Sequence, residues 1–178
     1  MLTVPTATAT ETRANHTFEA LLWALSRPGM PRDIASDAEA AIIDALIDRE
    51  CKVYCADPVL MPLILKTGAF LSDPTTADHA FLGKLIDVNV LESLRAGSDL
   101  YPDDGATVVA NAQIGTGQLL RLSGPGVDGS LQINIDGLPQ GFWAKRADCL
   151  RYPMGFDIFL IDGARVIGLP RSTQIEVL

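Results

Sequence analysis

The stretch from residue 151 to 178, RYPMGFDIFLIDGARVIGLPRSTQIEVL, restricts the fold more than any other. Two β-rich runs, 156–161 and 164–169, flank Asp162-Gly163, a dipeptide that readily supplies two residues at positive φ for a type I′ turn. A two-residue loop there sets Asp157 opposite Gly168. It also places Phe156, Ile158 and Leu160 on one face with Arg165, Ile167 and Leu169, and Asp157, Phe159 and Ile161 on the other with Ala164, Val166 and Gly168. Both faces are mostly apolar, whereas a hairpin with one wet face alternates apolar and polar residues. The expected fold is therefore α/β, a mixed sheet covered by helices on both faces as a three-layer sandwich. Asp157 lies near the open end, with Arg151 and Arg171, so a carboxylate–guanidinium pair is expected there, and a structural role is favoured over a catalytic one. Pro170 ends the second strand because it cannot donate to a ladder, which throws Arg171-Ser172-Thr173 into a polar loop, a candidate anion or partner site.

A chain of 178 residues with 48% hydrophobic content can bury a real core. The expectation is one domain over 15–178, preceded by a flexible arm over 1–14 whose first dozen residues show little periodicity. A formal net charge of -8 excludes a general nucleic-acid or anionic-membrane binder, which needs a basic surface. No apolar run reaches the length of a membrane span, and the opening lacks the basic start and apolar centre of a secretory signal, so a cytoplasmic protein is expected. Cys51, Cys55 and Cys149 are an odd count in a poor disulfide or zinc pattern, with only His16 and His79 to assist. The thiols read as small core residues, and neither metal nor cofactor is expected.

Along the chain, Phe18, Leu21, Leu22 and Leu25 follow the spacing of an amphipathic helix capped by Asn15 or Thr17 and stopped at Arg27-Pro28-Gly29, with Trp23 off the stripe. Ser36-x-x-Glu39 reads as a capping box opening a helix to about residue 48 with Ile42, Ile43, Leu46 and Ile47 buried. A short strand at 52–56 precedes a helix capped by Asp57 with Pro58 at its first position. A strand at 79–83 precedes a helix capped by Asp87 and ended by Gly97. A strand at 106–112 is expected to turn at Gly115-Thr116-Gly117 and return as 118–123, followed by a strand at 131–135.

Residues that carry chemistry are few. Ser123-Gly124-Pro125-Gly126 follows a strand, and such a glycine turn presents backbone N–H groups to a phosphate, with Arg121 near by. It matches neither the Walker pattern nor the dinucleotide fingerprint, and a plain turn is the commoner meaning of such residues. The candidate ligand- or partner-binding set is Arg121, Ser123, Gly124, Gly126, Asp157, Arg171 and Thr173. One reading of it is a stand-alone enzyme or binding protein that takes a small phosphorylated ligand at the corner of Arg121, Ser123 and Arg171. No Ser-His-Asp or Cys-His set is available.

A set of segments goes further: Phe18-x-x-Leu21-Leu22-x-Ala24-Leu25-Ser26-x-Pro28-Gly29, Gly105-Ala106-Thr107-Val108, Leu119-Leu120-Arg121-Leu122-Ser123-Gly124-Pro125-Gly126-Val127, Pro153-Met154-Gly155-Phe156-Asp157 and Leu169-Pro170-Arg171-Ser172-Thr173. In order and spacing this set resembles the PhnH subunit of the bacterial carbon-phosphorus lyase system along nearly the whole chain, with a looser match over 36–99. The resemblance implies a fold reminiscent of the pyridoxal-phosphate transferases without their cofactor site, a homodimer, and membership of a complex with PhnG, PhnI and PhnJ. That complex makes a ribose 1-phosphonate 5-triphosphate from ATP and an alkylphosphonate, releasing adenine. The family has no agreed catalytic residue in this subunit, so an accessory role is expected, with no nucleic-acid and no membrane partner.

Overall fold

The computed structural model describes residues 6–178, and the first five residues of the expected arm lie outside them. Structure starts earlier than expected. Helix α1 spans Ala9–Ser26, and its cap is Thr8, whose hydroxyl accepts from the Glu11 N–H at 3.2 Å while the Glu11 carboxylate accepts from the Thr8 N–H at 2.7 Å. This reciprocal capping box satisfies two orphan donors, which lets residues 9–14 of the expected arm join the helix.

Among the described residues ten strands form two sheets. The larger runs β1 (Arg32–Asp33), β9 (Arg165–Leu169), β8 (Asp157–Asp162), β5 (Thr107–Asn111), β4 (His79–Gly83), β2 (Lys52–Cys55), β3 (Phe70–Leu71). From β8 to β3 every neighbouring pair is parallel, and β1, β9 and β8 are joined antiparallel. The smaller sheet is antiparallel, with β6 (Gln113–Ser123) between β10 (Gln174–Val177) and β7 (Leu131–Asp136). Mixed α/β architecture is thus as the apolar two-faced hairpin implied.

The faces of that hairpin are as expected, but its turn is not. Asp162 pairs with Arg165 and Phe159 with Gly168, so the loop is Gly163-Ala164, and Asp157 lies beyond the last pair instead of opposite Gly168. Of these two loop residues only Gly163 has positive φ, at 59°, the pattern of a type II′ turn rather than type I′. Both alternatives keep the same two faces, because moving the turn by one residue in each strand preserves the parity of every pair. Gly163→Val is expected to lower stability by more than about 1 kcal/mol, since a β-branched residue is strained at that φ although the space around it is open. An unchanged urea midpoint would count against this turn.

Helices cover one face of the large sheet. Leu21 and Ala24 of α1, Ile42 and Ile43 of α2 (Ala38–Leu46) and Ile64 of α3 (Met61–Thr67) pack on Val53, Phe81, Val109, Phe159, Ile161 and Val166. The other face departs from the expected helical layer. Ile158, Leu160, Ile167 and Leu169 meet Ile114, Leu120, Leu122 and Ile135 of the small sheet, together with Leu91 and Leu94 and with Phe142 and Trp143 of helix α4 (Phe142–Cys149). Gly115 and Gly117 do not turn the chain back. They form a bulge within β6, where a Cβ on Gly117 would lie 2.5 Å from the Asp136 side chain, and β5 stays in the other sheet.

Local departures share a cause in tertiary packing. The buried face of α1 is Thr17, Ala20, Leu21 and Ala24, while Phe18 and Leu22 face outward. The helix lies so close to β9 at Gly168 that only its small-residue edge fits. Trp23 is half-buried with the Arg32 guanidinium stacked 3.1 Å from its ring centroid. The Ser36–Glu39 capping box is not formed: Asp37 is the cap residue and makes no side-chain cap bond, while Glu39 turns inward, where burial raises its pKa. Asp57 accepts from the Val59 N–H in a turn before α3, and Asp87 accepts from the Asn89 N–H at the start of a 3-10 segment, Val88–Ser93, instead of an α-helix. No helix among the described residues is long and apolar enough to cross a membrane.

Candidate functional site

Residues 170–173 carry the chain from β9 in the large sheet to β10 in the small one. Such a crossing leaves backbone groups without ladder partners, and Arg146 and Asp157 answer them. Arg171 binds Asp157 through three donors: its backbone N–H at 2.7 Å, Nε at 3.2 Å and Nη2 at 2.7 Å; its Nη1 reaches the Pro102 carbonyl. The pair is largely shielded, with side-chain exposures of 15% and 21%. Arg146, from α4, is 3% exposed and donates Nη2 to the Pro170 carbonyl at 2.8 Å and Nη1 to the Thr173 carbonyl at 3.2 Å. Burial pushes this guanidinium down to about 10, opposed in part by the charge of Asp157.

Between α4, this loop and β10 lies a cavity of about 510 Å³, with Trp143, Arg146, Tyr152, Ser172, Thr173 and Ile175 in its wall. Its volume is in the range of small-molecule sites. Thr173 is 2% exposed, and neither its hydroxyl nor Nε of Arg146 has a hydrogen-bond partner among the described residues.

The structure gathers only part of the expected set here. Arg171 and Thr173 line the cavity, and Asp157 stands behind Arg171 as its counter-ion. Gly124 packs on the loop: at φ 119°, a Cβ would sit 2.9 Å from the Ser172 carbonyl oxygen. Gly126 abuts the end of α1 instead, where a Cβ would meet the Ser26 carbonyl oxygen at 2.5 Å. The glycines therefore serve close backbone approach. Arg121 and Ser123 are set apart from the cavity. Leu120 and Leu122 are fully buried, so strand alternation turns Arg121 and Ser123 to the opposite, outer face of the small sheet. There Arg121 pairs with Glu176 at 2.8 Å across the β6–β10 ladder.

Arg146 is the residue that the sequence reading misses. Its segment, FWAKRADC, is a short helix of mixed character. The available signal is the spacing of Phe142, Trp143 and Arg146, which share one buried face at i, i+1 and i+4. A charged residue in such a stripe is ordinarily assigned to solvent.

Comparison with known proteins adds the following. Residues 6–176 match the family described as "Bacterial phosphonate metabolism protein (PhnH)". The chain is 34% identical over 172 residues to the "Putative C-P lyase subunit protein HtxG" of Stutzerimonas stutzeri, a match covering 93% of this chain and 87% of that protein. It is 28% identical over 183 residues to the "Alpha-D-ribose 1-methylphosphonate 5-triphosphate synthase subunit PhnH" of Rhizobium meliloti (strain 1021), covering 92% of this chain and 90% of that protein.

Proposed function

This chain belongs to the PhnH family of bacterial phosphonate metabolism proteins, and on that premise we propose that it works as an accessory subunit of a carbon-phosphorus lyase assembly. The observation that carries this reading is the extent of the match. It runs over residues 6–176 and covers about nine-tenths of each relative, both of which are named as subunits. In this role the chain takes part in forming a ribose 1-phosphonate 5-triphosphate from ATP and an alkylphosphonate, with release of adenine. PhnG, PhnI and PhnJ are its proposed partners, the cytoplasm its proposed compartment and a homodimer its proposed state. The outer face of the small sheet, with Arg121 and Ser123, is a proposed partner surface.

The arrangement around residues 170–173 supports an accessory role. Both arginines bind groups of this same chain and hold the crossing between the sheets. A kinship of the fold with pyridoxal-phosphate transferases is not supported, because a large mixed sheet flanked by helices is shared by many unrelated α/β proteins.

Sedimentation should give a dimer. Adenine release from ATP and methylphosphonate, followed by chromatography, is expected with the partner subunits present and absent with this chain alone. Turnover by the isolated chain at a rate comparable to the mixture would overturn the accessory reading.

A further inference from the structure

We infer that the loop from Ala96 to Gly105, with the adjoining turn at Tyr152, is a surface by which this chain docks on a partner subunit, and that the partner presents an apolar recess with a basic rim. The inference rests on the accessory-subunit reading and adds to it the place and the chemistry of a contact.

Exposure is the first argument. Leu100, Tyr101 and Tyr152 are 84%, 62% and 72% exposed. The two turns that carry them are joined, because the Gly155 N–H donates to the Ala96 carbonyl at 2.8 Å. A lone apolar residue on a surface needs no explanation, but a leucine and two tyrosines on adjoining turns are the residue types and the grouping that mark a protein contact.

Stiffness is the second. Ala96 and Gly105 close the loop with an antiparallel bridge. Within it the Ser98 N–H donates to the Tyr101 carbonyl at 3.0 Å and the Tyr101 N–H to the Ser98 hydroxyl at 3.1 Å. Arg95 holds Asp104 at 2.8 Å, and Arg171 reaches the Pro102 carbonyl from the core. Gly97, at φ 76°, sits so close that a Cβ would lie 2.8 Å from the Tyr101 carbonyl oxygen. A loop fixed in this way holds Leu100 and Tyr101 out in solvent, and a partner that buries them meets little ordering cost.

Charge selects the occupant. Asp99 and Asp103 are exposed and make no ion pair among the described residues. Arg95 is shared by Asp78 and Asp104, so even with Arg151 beside Tyr152 carboxylates outnumber cations here. Such a rim suits Lys and Arg on the partner. It repels phosphate, which excludes nucleic acid and an anionic membrane. A second copy meeting this loop about a two-fold axis would set the same carboxylates against each other.

Binding of the full chain to an affinity-tagged assembly of PhnG, PhnI and PhnJ, measured by biolayer interferometry, tests this. The unaltered chain should bind. Leu100→Ser combined with Tyr101→Ser should weaken binding by about tenfold or more, with the melting temperature unchanged because both side chains stand in solvent. Asp99→Lys combined with Asp103→Lys should weaken it by about tenfold at low salt, a difference that shrinks at high salt. If the unaltered chain does not bind, the accessory reading falls and this inference with it. If it binds and either double variant binds as tightly, the inference alone is overturned. A Leu100 and Tyr101 variant that sediments as a monomer yet keeps its affinity for the assembly assigns the loop to a second copy and overturns it likewise.

Discussion

Replacing Asp157 by Ala is expected to destabilise the fold by about 2–4 kcal/mol, below the cost of breaking a fully buried pair because some solvent reaches it. Asp157 accepts from the backbone N–H, Nε and Nη2 of Arg171, so its loss strips three donors at once. Arg171→Ala should cost at least as much, since it also releases the Pro102 carbonyl and leaves Asp157 a shielded carboxylate held by a single backbone donor. Residues in direct contact do not add. The double variant should therefore lose little more than the worse single one, measured as urea-unfolding free energies. Full additivity would mean that the two side chains act independently and would sink the pair.

Gly168→Ala should be as damaging, for a different reason. Gly168 lies outside the left-handed region, yet a Cβ there would sit 2.6 Å from the carbonyl carbon and oxygen of Ala24 and 2.7 Å from the Leu25 nitrogen. These are backbone atoms of α1, so no side chain can swing aside. The helix itself must move, and with it Leu21 and Ala24, which seal that face of the sheet. Overpacking of this kind costs about 1–3 kcal/mol and sometimes more, and a loss above about 2 kcal/mol is expected in urea unfolding. A midpoint equal to that of the unaltered protein would show that α1 does not seat on β9 in this way.

The faces of the C-terminal hairpin are legible in the sequence because parity alone assigns them, whichever two residues make the turn. The turn itself is not legible, since Asp162 is held in the ladder partly by a distant partner, Ile114. Its carboxylate accepts from the Ile114 N–H at 3.1 Å and from Arg165 at 2.5 Å, and β6 is invisible to any local rule. The Asp157–Arg171 pair is readable because an acid and a base flank the open end of one hairpin. In α1 the apolar spacing is genuine but misleading: the closeness of Gly168 selects the edge bearing Ala20 and Ala24 and leaves Phe18 and Leu22 outside. At the cavity, Thr173 and Arg171 belong to a recognisable polar loop, whereas Arg146 comes from a segment whose burial depends on a sheet crossing that no local pattern announces.

The hairpin of β8 and β9 lies between β1 and β5 in the large sheet, although residues 157–169 are made long after either neighbour. On a ribosome, β2, β4 and β5 can assemble early, but one side of β5 stays open and β1 has nothing to pair with. An open strand edge of that kind is where chains join one another wrongly. Closure of the sheet is thus a late event in synthesis, and a nascent chain stalled before residue 157 carries an unfinished interior that chaperones or neighbouring polypeptides are free to engage.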